Sequence, residues 1–434
     1  MADAEAMRRS AAIVTKDPGK RLIVVSATSG TTNLLTSLCK PLTAEEKKGL
    51  FKQIKEKHLA ICSELKNFEE TASQVNTLLD ELEKFTRMQV IGAREKDEIL
   101  SFGERISSVI FTAIVNETEP GAVCLDSREV MITDNLHGNA EPDIAAIEER
   151  VSERLAPVIQ GKRVITQGFV GATPDGVTTT LGRGGSDYTA ALFAEALNAD
   201  VLEIWTDVTA IYTTDPRIEP NAKPITEISF DEAAELSVFG AKVLHPATLK
   251  PAMRKSVKVY VGSSFHPEQP GTWIVKESSE KPVIRAISLR RNQTLLTVHS
   301  LDMLHRHGYL ARLFELLSKY KISVDLVTTS EVSVSMTLDT DIQSAEQNNL
   351  SENVLNELRS FCDVNIEKNL SLVALVGNNL HATAGLSGPV FGALQDVNIR
   401  LICHGASSHN LCFLVNENQA EEVVRTLHEK FINS

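Results

Sequence analysis

The chain has 434 residues, 42% of them hydrophobic and 23% charged, with a formal net charge of -13. That length calls for two or three domains, and the composition is that of a soluble globular protein. The acidic balance argues against a nucleic-acid surface, though not against a local basic pocket, and no apolar run approaches the roughly 18 residues of a membrane span.

The N-terminal "MADAEAMRRSAAIV" reads as a mixed-charge helix and not as a signal peptide. "KRLIVVSATSG" reads as a buried strand ending in a small-residue turn at Ser26–Gly30. A long charged stretch from about Thr43 to Arg94 carries apolar residues at helical spacing. "GAVCLDSREV" and "KRVITQGFVGAT" read as further strands. After Thr178–Ala191, "TTTLGRGGSDYTAA", come a helix, the strand "DVLEIWTDV" and the loop "TAIYTTDPR". Strands alternating with helices predict a mostly parallel sheet with helices on both faces. Ligands bind such sheets at the carboxyl ends of the strands. The segments Ser26–Gly30, Gly168–Gly171 and Thr206–Arg217 are therefore expected on one face.

Prolines and a charged run place a domain boundary near Ser278–Pro282. Beyond it a β-α-β-β-α pattern recurs with a period of about 75 residues. The unpartnered strand "VIRAISLR" before the first copy would complete the second, so the copies interleave. The six cysteines are scattered with no C-x-x-C pair, which reads as buried thiols in a reducing cytosol and a cytoplasmic location.

The glycines of "TLGRGGSD" let backbone N–H groups approach an anion at a helix mouth, and Arg183 can clamp a carboxylate or phosphate. A structural turn is the other reading, with Asp187 as a helix cap. No Gly-Lys-Ser/Thr follows, so it is not a P-loop. Asp207, Tyr212, Asp215 and Arg217 share one loop after a strand, Lys242 lies beside a glycine, and Glu104 in "SFGERISS" reads as a helix-start residue. Each alone is more often a solvated or capping residue. Together on one sheet face they supply cations for phosphates and carboxylates for an ammonium.

"TTTLGRGGSDYTAA", "WTDVTAIYTTDPR" and "FGAKVLHPATLKPA" resemble the signature of the aspartate kinases, within the amino-acid kinase fold. "RRNQTLLTVHSLDMLH", "ISVDLVTTSEVSVSMTLD" and "CHGASSHNLCFLV" resemble the tandem ACT regulatory domains of the lysine-sensitive monofunctional class. The resemblance covers essentially the whole chain, with no homoserine dehydrogenase domain expected after Ser434. It implies an α/β kinase domain over 1–278 and a regulatory region over 279–434. The latter would hold two βαββαβ modules, at about 292–366 and 370–434, interleaved with strand 283–290.

The activity implied is transfer of the ATP γ-phosphoryl group to the β-carboxylate of L-aspartate, with Mg²⁺. Carried over by residue, Arg183 would grip the substrate α-carboxylate, with Ser26, Thr32, Gly184 and Ser186 around the substrate. Glu104 would take the α-ammonium, and Asp187 would stand at the reacting centre. Thr206, Asp207, Tyr212, Arg217 and Lys242 would form the nucleotide pocket. L-lysine is the implied inhibitor, at Met303, Gly308, Tyr309, Leu310, Asp325 and Ser330, in a homodimer joined through the ACT domains. Arg306 departs from the small hydroxyl residue that relatives carry and would weaken lysine binding.

Such kinases open with a short strand running into Lys-Phe-Gly-Gly-Thr-Ser, which this chain lacks. The expectation is a misassigned start, with a valine GTG codon read as Met1. Rival readings are a glutamate or carbamate kinase, which the regulatory modules disfavour, and a catalytically impaired lysine-binding sensor.

Overall fold

The computed structural model describes residues 1–240, 244, 246–304, 307–338 and 350–433. In chain order the first elements are α1 (Ala4–Thr15), β1 (Leu22–Val25), α2 (Thr31–Leu38), α3 (Ala44–Ser63), α4 (Phe68–Thr86), α5 (Ala93–Asn116) and β2 (Val123–Leu125). There follow α6 (Ile144–Arg150), α7 (Ala156–Ile159), β3 (Val164–Gln167), β4 (Val170–Ala172), β5 (Thr178–Thr180), α8 (Gly185–Ala196) and β6 (Val201–Thr206). Then come β7 (Glu227–Ser229), α9 (Phe230–Val238), α10 (Pro246–Lys255), β8 (Lys258–Ser263) and β9 (Thr272–Val275). The remainder is β10 (Ala286–His299), α11 (Tyr309–Lys319), β11 (Val324–Thr329), β12 (Ser333–Leu338), α12 (Glu352–Arg359), β13 (Asp363–Val376), α13 (Ser387–Gly392), β14 (Leu401–His404), β15 (Asn410–Asn416) and α14 (Ala420–His428).

These form two compact units, one of Met1–Ala210 with Val243–Lys276 and one of Ile211–Lys242 with Glu277–Ser434.

In the first unit β3 lies between β1 and β2, parallel to both. All four residues of β3 are buried, as a strand covered on both faces requires. β6 pairs in parallel with β8, and β9 runs antiparallel to β8. Helix α8 packs against both β1 and β6. The stretch expected as one long helical region is three helices, α3, α4 and the start of α5. Asn67 and Gly92 stand at the N-caps of the second and third. A reciprocal Thr43–Glu46 capping box opens α3. Phe51, Ile54, Val75, Leu79, Ile99 and Phe102 fuse the three helices into one core.

In the second unit the sheet order is β11-β12-β10-β13-β15-β14. The sequence suggested two strands over residues 283–300. The structure has one long strand, β10, with a bulge where Asn292 takes φ 58°. Its first part, Ala286–Arg290, pairs with Leu372–Val376, and its second part pairs with both β12 and the start of β13. Leu313 and Leu317 of α11 and Leu358 of α12 cover Leu296, Val298 and Met336. Val423, Val424 and Leu427 of α14 cover Val373, Leu375 and Phe413. Each half is thus a βαββα pattern with its helices on the sheet, and the whole is a mixed α/β fold.

Candidate functional site

Parallel pairing of β1 with β3 sets Val25 opposite Gln167, so the turn at Ser26 and the turn at Gly168 leave the sheet side by side. The Gly168 N–H donates to Val25 O at 2.9 Å. A Cβ on Gly168 would stand 2.6 Å from Ser186 Cα, so only glycine lets this turn reach the mouth of α8. Phe169 holds φ 65°, a left-handed conformation unusual for an aromatic residue. Its N–H donates to Thr189 Oγ1 at 3.0 Å, and its carbonyl accepts from Leu181 N–H at 3.0 Å.

Gly182 and Gly184 take φ 74° and 68°, the conformations expected of the glycines in this turn. Gly184 is the N-cap of α8 and carries no side-chain cap. Asp187 is therefore not the cap that its place in the sequence suggested but an acid in the first helical turn. Burial pushes its carboxyl up to about 6, outweighing the helix N-terminus that would favour the ionised form. Arg183 is exposed on the same turn.

Glu104 is not at a helix start. It lies inside α5, is 5% exposed, and accepts the Ala27 N–H at 3.0 Å. The turn after β1 and the body of α5 are thereby joined, and burial pushes the Glu104 carboxyl up to about 8. Gly103 is needed beside it, because a Cβ there would meet Ala27 Cβ at 2.8 Å. Thr32 is exposed in the first turn of α2. The structure therefore brings together Ser26, Glu104, Gly184, Ser186 and Asp187 on turns and helices that touch.

Sequence reasoning missed His58. Its Nδ1 meets Ile54 O at 2.7 Å, its Nε2 meets Thr28 Oγ1 at 3.0 Å, and Thr28 Oγ1 meets Thr31 Oγ1 at 2.6 Å. Burial takes the imidazole down to about 4, so it is neutral. With Nδ1–H given to the carbonyl, Nε2 accepts from Thr28, and the histidine fixes the Ser26–Thr32 turn from beneath. Nothing in a charged helical stretch marks one histidine as buried. Asp97 was also missed, although it lies seven residues before Glu104 on one helix face, a spacing that could have found it.

Thr206 ends β6, and its Oγ1 donates to Asp207 Oδ1 at 3.1 Å. Both belong to the first unit, whereas Tyr212 and Arg217 belong to the second. Arg217 makes a forked pair with Asp215, with Nη2 to Oδ2 at 2.7 Å. Lys242 lies outside the described residues, as does Arg306.

In the second unit Met303 ends a short turn, Gly308 at φ 81° caps α11, and Tyr309 and Leu310 begin it. Met303 packs against the core beneath α11. Asp325 on β11 accepts from Arg290 Nη1 at 2.6 Å, and the Ser330 N–H donates to Ser333 O at 2.8 Å. None of the described helices is long and apolar enough to cross a membrane.

The sequence pattern of the amino acid kinase family matches residues 1–263, and that of an ACT domain matches residues 373–431. The chain is 48% identical to the lysine-sensitive aspartokinase 3 of Escherichia coli K12, over 99% of this chain and 96% of the relative. It is 36% identical to the chloroplastic aspartokinase 1 of Arabidopsis thaliana, over 100% of this chain and 79% of the relative. The crystal structure of E. coli aspartokinase III with aspartate and ADP (R-state) matches with a TM-score of 0.89 at 47% identity, covering 100% of this chain and 97% of that one. The same enzyme with lysine and aspartate (T-state) matches at 0.84 and 47% identity, covering 99% and 97%. A family pattern over more than half of the sequence, and a relative 48% identical across nearly all of it, make this chain a member of the aspartokinases, kinases of the amino acid kinase family.

Proposed function

We propose that the chain transfers the ATP γ-phosphoryl group to the β-carboxylate of L-aspartate, giving 4-phospho-L-aspartate. On this reading it opens the route to lysine, threonine and methionine and is inhibited by L-lysine. The observation that carries the reading is the buried Glu104 carboxyl joined to the turn after β1, near the glycine turn that bears Arg183. A carboxyl group kept from water is an acceptor for a buried ammonium, and a guanidinium grips a carboxylate in bidentate fashion. An α-amino acid carries both groups. Relatives solved with aspartate and ADP, and with lysine and aspartate, support the same choice of ligands.

The reacting β-carboxylate of aspartate is already ionised at neutral pH, so no general base is required. The task is to bring two anions together, and positioning with charge neutralisation supplies the rate. In our assignment Arg183 takes the α-carboxylate, with Ser26, Thr32, Gly184 and Ser186 closing around the substrate. Glu104 takes the ammonium and Asp187 orients groups at the reacting centre. Of the residues expected around the nucleotide, we assign Thr206 and Asp207, at the end of β6, to it.

Among the described residues no group of three or more His, Cys, Asp or Glu side chains could hold a metal ion. Mg²⁺ needs only one or two carboxylates beside the nucleotide's own phosphates, and Asp187 in the first turn of α8 is a carboxylate of that kind. The ion would neutralise phosphate charge, and Asp187 is the carboxylate we assign to face it. Met303, Gly308, Tyr309, Leu310, Asp325 and Ser330 form the proposed lysine site, in a homodimer joined through the regulatory modules.

The test is a hydroxamate assay with aspartate and Mg-ATP, with and without lysine. Acyl phosphate formation suppressed by lysine is expected. Lysine binding with no turnover, in this chain and in one extended at its N-terminus by a lysine and glycine loop, would overturn the catalytic reading in favour of a sensor.

A further inference from the structure

Asp97 is a wholly buried carboxylate for which the proposed chemistry has no use. It lies in the first turns of α5, on the same face as Glu104. Its Oδ1 accepts from Thr180 Oγ1 at 2.6 Å. Its Oδ2 accepts from the Gly138 N–H at 3.1 Å and faces His137 Nδ1 at 2.8 Å. Asp97 Oδ2 already accepts the Gly138 N–H, and in the same role it accepts from His137 Nδ1. One side chain thus ties three separate pieces of chain: helix α5, the loop at His137–Gly138, and the last residue of β5.

The last residue of β5 matters because the glycine turn begins immediately after it. The Thr180 carbonyl accepts the Ala140 N–H at 2.9 Å, so the 137–140 loop runs along the strand end. A Cβ on Gly182 would stand only 2.6 Å from Asn139 Oδ1. The turn bearing Arg183 is therefore seated on a loop whose position is set by Asp97. A fully satisfied buried carboxylate holds such a seat rigidly, because each lost donor leaves an acceptor in a place water does not reach.

We infer that Asp97, through Thr180 and His137, is a positioning residue for the Arg183 turn and so governs affinity for the amino-acid substrate. This rests on the assignment of Arg183 to the aspartate α-carboxylate. Asp97 also stands on the helix of Glu104, so one element sets the spacing between the groups proposed to hold the two ends of the substrate backbone. Nucleotide binding, assigned to other loops, does not depend on it.

The test is titration calorimetry of the full chain with aspartate and, separately, with Mg-ATP, beside thermal unfolding of each variant. Thr180→Val and His137→Ala each remove one donor to Asp97. Thr180→Ser and His137→Asn keep a donor at nearly the same place. We expect the first pair to weaken aspartate binding at least about tenfold. ATP binding should stay within about twofold, since a lost donor acts locally, and the second pair should restore aspartate binding. If Thr180→Val does not fold, His137→Ala decides. Unchanged aspartate affinity in a folded donor-less variant overturns the inference. So does an equal loss of aspartate and ATP affinity that follows the melting temperature. A wild-type chain that binds ATP but no aspartate strikes the substrate assignment itself and takes the positioning role with it.

Discussion

Ala27 and Glu104 meet across 3.0 Å, the backbone N–H of one donating to the carboxyl Oε1 of the other. Burial nevertheless holds that carboxyl up to about 8, so at neutral pH it keeps its proton until a cation arrives. Aspartate binding at pH 7 is therefore expected to release a proton as the ammonium takes its place. Calorimetry in two buffers of different ionisation enthalpy reads this directly, and identical heats in both would remove Glu104 from the ammonium site. The same shift has a stability consequence. The folded value lies above the ordinary 4.5, so the native state holds a proton that the unfolded chain has released. Stability falls as pH rises from 4.5 to 8, and Glu104→Gln should lack this fall.

His58 gives the opposite slope. Its imidazole, taken down to about 4 by burial, stays neutral where an unfolded histidine is charged. The stability it contributes is complete above pH 6.5 and is lost as pH falls toward 4, by about 3 kcal/mol at most. Urea unfolding at pH 5 and pH 7 checks this. The gap between the two midpoints should narrow in His58→Gln, and an unaltered gap would mean that the Thr28–His58 bond does not hold the turn.

Asp187 is pushed up to about 6 by burial. If it works ionised, kcat/KM, which reports the free protein, should fall on an acid limb with a midpoint near that value. Asp187→Asn should lower kcat by about 10²–10³ and abolish the limb. A pH series of ADP release measures both, and a flat wild-type profile from pH 5 to 8 would deny the residue a part in the chemistry.

Arg290 stands 2.6 Å from Asp325, with both side chains one-fifth exposed. A lysine ammonium reaching Asp325 has to share or displace that guanidinium. Asp325→Asn should raise the lysine concentration needed for half-inhibition at least about tenfold, the loss of one charge-assisted contact. Dose–response curves for the two proteins decide, and coincident curves would move the effector site elsewhere.

The mixed α/β architecture was legible because strand and helix patterns alternate plainly, and the glycine turn was legible because Gly182 and Gly184 need φ values that other residues avoid. Glu104 was misplaced because "SFGERISS" carries the Ser-x-x-Glu spacing of a capping box, while the real helix has already begun at Ala93. The polar "RRNQ" run broke β10 in the reading. A bulge at Asn292 lets the strand pass through it. His58 stayed hidden because its role comes from burial, which is decided by what packs over a residue and not by its neighbours in sequence, whereas Asp97 was missed because Glu104 was read as a helix start and the face the two share went unseen.

The double allegiance of β10 has a practical outcome. Its leading half is laced to Leu372–Val376 and its trailing half to β12 and to Asp363–Glu367. Cutting the gene near residue 291 or 368 would leave either fragment with a raw strand edge and half a hydrophobic floor. The two modules thus stand or fall as one block, and neither is a cassette to be transplanted alone.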